Sequence, residues 1–265
     1  MPTRAAHVLI DAADPRRLAE FWAAALEWEL GPNEPDQVAV WPSGYRYPDL
    51  QRPDSAALPL VFSGAAEPKT GKNRIHLDLA SESAAHQAAV VRRLRRLGAT
   101  LLDIGQGRVP WVVLADPEGN ELCVLEPRPV YCDAGSIAAI VVDSADPAPM
   151  ARFWSEATGW LPQHGGVDLR ALRAPADATP ADRTPADRTP ADRGPYLELL
   201  RVPSAGIARS RVRLAVAPGP DDDYQADVTR LIQAGAKPIE TGHGDPRWTE
   251  LSDVEGNEFR VLTPR

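Results

Sequence analysis

Apolar and polar positions along this chain switch repeatedly between two periods. Alternation over four to six residues marks a strand with one buried face. Apolar residues spaced three and four apart mark a helix with a buried stripe. His7–Asp11 reads as a short strand. Asp14-Pro15 then opens a helix, with Asp14 as N-cap and Pro15 at the first helical position. Leu18, Phe21, Trp22 and Ala25 form its buried stripe. Apolar runs at Val38–Trp41 and Leu58–Phe62 predict strands separated by a turn-rich segment, and Arg74–Leu79 predicts another. A helix over Ser83–Leu97 stops at Gly98, a residue suited to a left-handed C-cap. Strands follow at Thr100–Ile104, Trp111–Ala115 and Glu121–Leu125, the last two joined by the turn sequence DPEGN.

The same order then recurs. Strands are expected at 137–143, near 167–172 and 196–201, at 211–216, and near 237–240, 247–251 and 258–262, with helices at 147–157 and 223–234. The residues themselves repeat. Asp11, Asp14, Pro15, Phe21, Trp22 and Trp28 return as Asp143, Asp146, Pro147, Phe153, Trp154 and Trp160, an offset of 132. WVVLADPEGNELCVLEP (111–127) returns as WTELSDVEGNEFRVLTP (248–264), an offset of 137. An internal duplication at this scale sets the architecture. It predicts one domain over 1–127, a linker over 128–135 and a second domain over 136–265, each long enough to bury its own core. The loop 174–194 interrupts the second copy with three successive TPADR units at 179–193. Its prolines, charges and lack of large apolar residues predict a disordered, extended insertion, which a surface loop tolerates at small cost.

Composition narrows the class. A hydrophobic fraction of 43% over 265 residues fits a globular protein, and no apolar run reaches the length of a membrane span. The N-terminus has no apolar segment before a cleavage site, and Cys123 and Cys132 read as free thiols, so a cytoplasmic location is expected. A net charge of −8 argues against nucleic acid as partner. The basic group Arg92, Arg93, Arg95 and Arg96 falls in the last turns of a helix, where cations are favoured, and reads as a solvated face.

A strand followed by D-x-x-D-P, a helix carrying Phe-Trp, and a later D-P-x-G-N hairpin resembles the vicinal oxygen chelate superfamily, in its glyoxalase-like branch (the glyoxalase/bleomycin resistance/dioxygenase group). HLDL at 76–79 and GNELCV at 119–124 add to the likeness, which covers nearly the whole chain outside the linker and the TPADR loop. The resemblance implies an α+β fold of βαβββ modules that pair into curved, half-open sheets around a small-molecule cavity. Four modules are expected, near 5–63, 73–127, 136–202 and 210–263, giving two glyoxalase-like domains.

In metal-using relatives the ligands come from the first strand of each module and from the strand after the hairpin. Those positions are His7, His76 and Cys123 in the first half, and Ala139, Arg213 and Arg260 in the second, which cannot hold a divalent metal. Dioxygenase relatives carry Glu where Cys123 stands, and Glu121 is the nearest acid on the same face. Strand alternation places His7, Leu9 and Asp11 on one face, likewise His76 with Asp78, and Glu121 with Cys123 and Leu125. His7, His76 and Cys123 are therefore expected to converge on one cavity of the first domain. His7, His76, Glu121 and Cys123 are candidate ligands for zinc, iron or manganese. Without metal, His76 with Asp78 or Asp11 offers acid–base chemistry. Trp41, Trp111, Asp11 and Cys123 are candidate ligand contacts. Two functional classes remain open: a lyase, isomerase or dioxygenase, and a non-catalytic binder that sequesters an antibiotic or aromatic metabolite. The expected partner is a small molecule, with no membrane, acting as monomer or homodimer.

Overall fold

The computed structural model describes residues 3–33, 37–43, 58–64, 69–175, 194–203, 210–219, 221–240 and 247–263. The TPADR copies and His243 lie outside the described residues. Four modules follow one another, each a strand, a helix and three strands. The first is β1 (Arg4–Ala12), α1 (Pro15–Leu26), β2 (Glu29–Asn33), β3 (Gln37–Trp41) and β4 (Leu60–Gly64). The second is β5 (Ile75–Leu79), α2 (Ala84–Leu97), β6 (Thr100–Leu101), β7 (Val112–Ala115) and β8 (Glu121–Val124). The third is β9 (Ile137–Ser144), α3 (Pro147–Thr158), β10 (Leu161–Gly165), β11 (Leu169–Arg173) and β12 (Tyr196–Arg201). The fourth is β13 (Val212–Ala217), α4 (Tyr224–Gln233), β14 (Lys237–Pro238), β15 (Trp248–Ser252) and β16 (Glu258–Leu262).

The helices end where the sequence says they should. Asp14 accepts a hydrogen bond from the Arg17 N–H, and Ser83 from the His86 N–H. Gly98 takes φ 113°, a left-handed conformation that closes α2. Strands β2 and β10 escape the sequence pattern. They carry Gly-Pro and Pro-Gln-His-Gly in place of alternating apolar residues, and each lies at a sheet edge, where one face and one side need no burial.

The modules pair in a way that the linear duplication does not suggest. One eight-stranded sheet runs β14-β15-β16-β13-β1-β4-β3-β2 and the other β10-β11-β12-β9-β5-β8-β7-β6. The first sheet therefore joins the first module to the fourth through antiparallel β1 and β13. The second joins the second module to the third through antiparallel β5 and β9. Val8, Ile10, Leu77, Leu122, Ile140 and Leu214 point to the helix side of the two sheets, into one shared core with Trp22, Leu94, Trp154 and Leu231. Burying each such large apolar side chain stabilises the fold by about 1.5–3 kcal/mol. The faces turned away from the helices hold separate small buried clusters: Val113, Cys123, Tyr131, Ala139 and Tyr196 on the second sheet, and Leu9, Ala39, Trp41 and Val61 on the first.

The duplicated signature ties the two sheets together. The Trp22 indole N–H donates to Asp116 Oδ2 (3.3 Å), and Trp154 repeats this with Asp253 (3.1 Å). Glu118 accepts from the N–H groups of Ala13 and Asp14 at the start of α1, and from Arg211 Nη2 at 2.8 Å. Glu255 does the same for Ala145, Asp146 and Arg74. The shared Asp, Trp and Glu residues thus hold each hairpin against the helix of the preceding module, in the other sheet.

Candidate functional site

The face of the second sheet turned away from the helices gathers the chemistry. His76 and Asp78 stand two residues apart on β5, on the face away from the helices. Asp78 lies beside Cys123 in the parallel β5–β8 register. Their ligand atoms (one each from His76, Asp78 and Cys123) all lie within 4.8 Å of one another. His76 Nε2 is 3.4 Å from Asp78 Oδ1. Among the described residues, His76 Nδ1 and Asp78 Oδ1 are buried and have no hydrogen-bond partner, a costly state unless something binds there. Burial and the adjacent Asp78 carboxylate push the Cys123 thiol well above its usual range, so it holds its proton.

A second group faces this cluster. Asp78 pairs with Ala139 across β5 and β9, and Val141 on β9 pairs with Glu198 on β12. Glu198, with its side chain 8% exposed, accepts a hydrogen bond from the Tyr131 hydroxyl (2.8 Å) and has His164 Nε2 at 3.6 Å. Burial first, then the nearby Asp78 charge, raises its carboxyl above the ordinary range against the lowering effect of the Tyr131 bond. Tyr131 comes from a short 3-10 turn, Pro129–Tyr131, in the segment between the halves. Burial and Glu198 raise its phenol as well. Tyr196 packs edge-on against Tyr131 and His164, with the Arg173 guanidinium 4.3 Å from its ring centre. Arg128 lies 5.6 Å from the ring centre of Trp111 and 5.9 Å from that of Tyr131. A cavity of about 620 Å³ between α3 and β10–β11 reaches the edge of this group at His164 and Ala171.

The sites suggested by sequence separate into two sets. His76, Asp78 and Cys123 share the second sheet, with Trp111 just ahead of its strand β7, whereas His7, Asp11 and Trp41 belong to β1 and β3 of the first. The structure does not bring His7 to His76 and Cys123, because the modules carrying them are not sheet partners. Glu121 is occupied elsewhere: Lys69 Nζ bonds one of its oxygens (2.6 Å) and the Asn73 N–H the other (3.2 Å). Asp11 is paired with Arg213. The residues that sequence reading passed over are Tyr131, His164 and Glu198. Glu198 alternates with Leu197 and Leu199 along its strand and shares a face with Tyr196, so its face was legible, but the sheet it completes was not.

The registers expose one layout on both sheets. Counting from matched strand positions, His76, Cys123, Ala139 and Glu198 on the second sheet correspond to His7, Val61, Arg213 and Arg260 on the first. On the first sheet, Arg213 is surrounded by Asp11, Glu258 (3.2 Å) and Glu250 (3.5 Å), and an internal guanidinium supplies the positive charge. His7 is held neutral, its pKa lowered to about 3 by burial and then by the Arg260 charge.

A family model described as a glyoxalase-like domain matches residues 7–125 and again 139–262. The chain belongs to the glyoxalase-like domain family. A V278E mutant of glyoxalase I from Zea mays aligns with 99% of this chain and 92% of its own, at 14% identity and a TM-score of 0.62. Glyoxalase I from Zea mays aligns over the same shares at 12% identity and a TM-score of 0.61. A putative dioxygenase from Bacillus subtilis covers 99% of this chain and 86% of its own, at 15% identity and a TM-score of 0.56. At these identities the likeness shows the glyoxalase-like fold across both halves. No curated protein sequence matches the chain significantly. Among the described residues, no helix is long and apolar enough to cross a membrane.

Proposed function

We propose that this glyoxalase-like protein is an enzyme acting on a small molecule at the face of its second sheet turned away from the helices, with a divalent metal held by His76, Asp78 and Cys123. The observation that carries this reading is the nitrogen, oxygen and sulfur set within 4.8 Å on His76, Asp78 and Cys123, side chains that also carry two buried atoms, His76 Nδ1 and Asp78 Oδ1, with no hydrogen-bond partner among the described residues. Such a donor set suits zinc, with iron and manganese as alternatives. A bound ion would polarise an oxygen of the ligand as a Lewis acid.

The chain's own groups supply the rest. Glu198, its carboxyl raised and bonded to the Tyr131 hydroxyl, is placed to take up or release a proton. That favours proton transfer of the lyase or isomerase kind over oxygen chemistry. Trp111, Tyr196 and Arg128 give a flat ligand stacking surfaces and one cation. Each sheet is completed by two modules of the same chain, which supports a monomer as the binding unit.

One observation favours the rival class, a non-catalytic binder: without a cation the Cys123 thiol stays protonated and acts as a small apolar contact. Elemental mass spectrometry on untagged protein separates the two. The expected result is about one equivalent of zinc, iron or manganese, lost in His76→Ala and in Cys123→Ser while circular dichroism stays unchanged. Absence of metal after reconstitution would overturn the metal centre and leave the binder.

A further inference from the structure

The cavity of about 620 Å³ between α3 and strands β10 and β11 has an apolar side, with Ala151 and Leu172 buried beneath it and Pro162 beside them. Two arginines also line it, Arg152 from α3 and the half-buried Arg170 from β11. Among the described residues neither guanidinium is ion-paired. Arg170 Nη1 donates only to the neighbouring Leu169 carbonyl (3.3 Å). Glu156, the carboxylate of the lining, lies 3.8 Å from Arg230 Nη1 instead.

The first module shows the same space filled. Strands β2 and β3 pair as β10 and β11 do, with the register shift at the same place. Leu30 opposes Val40 and Asn33 opposes Val38, as Pro162 opposes Leu172 and Gly165 opposes Arg170. Val38, 2% exposed and part of the shared core, thus stands where Arg170 does. On the helix, at the offset of 132, Glu20 stands where Arg152 does, and it is paired with Arg16 at 2.8 Å. The third module has therefore exchanged a buried valine and a carboxylate for two guanidiniums around one cavity. Like charges around one space repel unless an anion sits between them. On a chain of net charge −8 this wall is a local excess of positive charge.

We propose that this cavity is a second small-molecule site, one that takes an organic anion, its charged group on Arg152 and Arg170 and its apolar body against Ala151, Pro162 and Leu172. A guanidinium offers planar, forked donors that a carboxylate or a phosphate accepts with two bonds. An apolar wall with a few placed polar groups is the usual make-up of a small-molecule pocket. The site needs no metal. It lies on the helix side of the second sheet, opposite His76, Asp78 and Cys123, so it does not rest on the metal reading.

The test is titration calorimetry of the full chain with benzoate and with phenyl phosphate, and with benzamide as the neutral control. Saturable binding of at least one of the two anions is expected, weaker by about tenfold or more in Arg152→Gln, in Arg170→Val and for benzamide, and unchanged in His76→Ala. A preference for either anion supports the site and names the charged group it takes. Arg170→Val and Arg152→Glu each restore the residue of the first module, so both should fold, and Arg152→Glu should abolish binding by giving Arg170 an internal partner. Unchanged affinity in Arg152→Gln or in Arg170→Val, equal affinity for benzamide, loss in His76→Ala, or no saturable binding of either anion would each overturn the proposal. Failure here leaves the metal reading to its own measurement.

Discussion

Cys123 and Glu198 occupy equivalent places in two modules of one sheet: Cys123 lies beside Asp78 on β5 as Glu198 lies beside Val141 on β9. The acid that family resemblance expects at position 123 is thus present on the same face, contributed by the third module. Its partner Tyr131 comes from the segment that joins the halves, so the candidate site draws on both halves and on the link between them.

Glu198 gives a prediction with a defined sign. Its folded pKa is raised, so between the unfolded and folded values the native state holds more protons. Its contribution to stability is therefore full below the unfolded value and is lost as pH rises through the folded one. Glu198→Gln keeps an acceptor for Tyr131 and removes this loss. Thermal unfolding at pH 4 and pH 7.5 should show the variant gaining on the parent with rising pH. A gain that is the same at both pH values would show that Glu198 does not titrate abnormally.

His7 behaves in the opposite sense. Its pKa is lowered to about 3 in the fold, against 6.5 for the free side chain. The unfolded chain binds the extra proton first, so stability is complete above 6.5 and is lost as pH falls from 6.5 toward 3. The loss approaches about 1.4 kcal/mol for each pH unit below 6.5. Denaturant unfolding of His7→Gln should be less acid-sensitive over that window, and parallel curves for parent and variant would contradict the assignment.

The hairpin glutamates should be structural. Glu118→Ala removes the acceptor for two N–H groups at the start of α1 and leaves Arg211, largely buried, without its carboxylate. A destabilisation of about 2–3 kcal/mol is expected in urea unfolding. Glu255→Ala should cost a similar amount through Ala145, Asp146 and Arg74. Metal content should not change in either variant while the protein remains folded.

His76, Asp78 and Cys123 could be read directly from the chain, because alternation along a strand assigns a face without knowledge of its neighbours. The caps at Asp14 and Ser83, the helix stop at Gly98 and the fourfold module order were legible for the same reason: each depends on residues within a few positions. Strands β2 and β10 were not legible, since an edge strand that buries little leaves no periodic signature. The grouping of His7 with His76 and Cys123 did not survive folding. Both sheets show the same inward and outward alternation whichever modules are joined, so β1 and β5 carry no local mark of their partners.

The sequence by itself determined the modules, their order, their duplicated signature and the face on which each polar residue stands, all properties of short-range periodicity and turn chemistry. The tertiary structure alone decided that the first module closes with the fourth and the second with the third. That choice separated His7 from His76, brought Glu198 and Tyr131 to the sheet of His76, Asp78 and Cys123, and set two arginines beside His7. Pairing between strands more than a hundred residues apart is decided by how whole apolar faces fit together in one shared core, which no window along the chain contains.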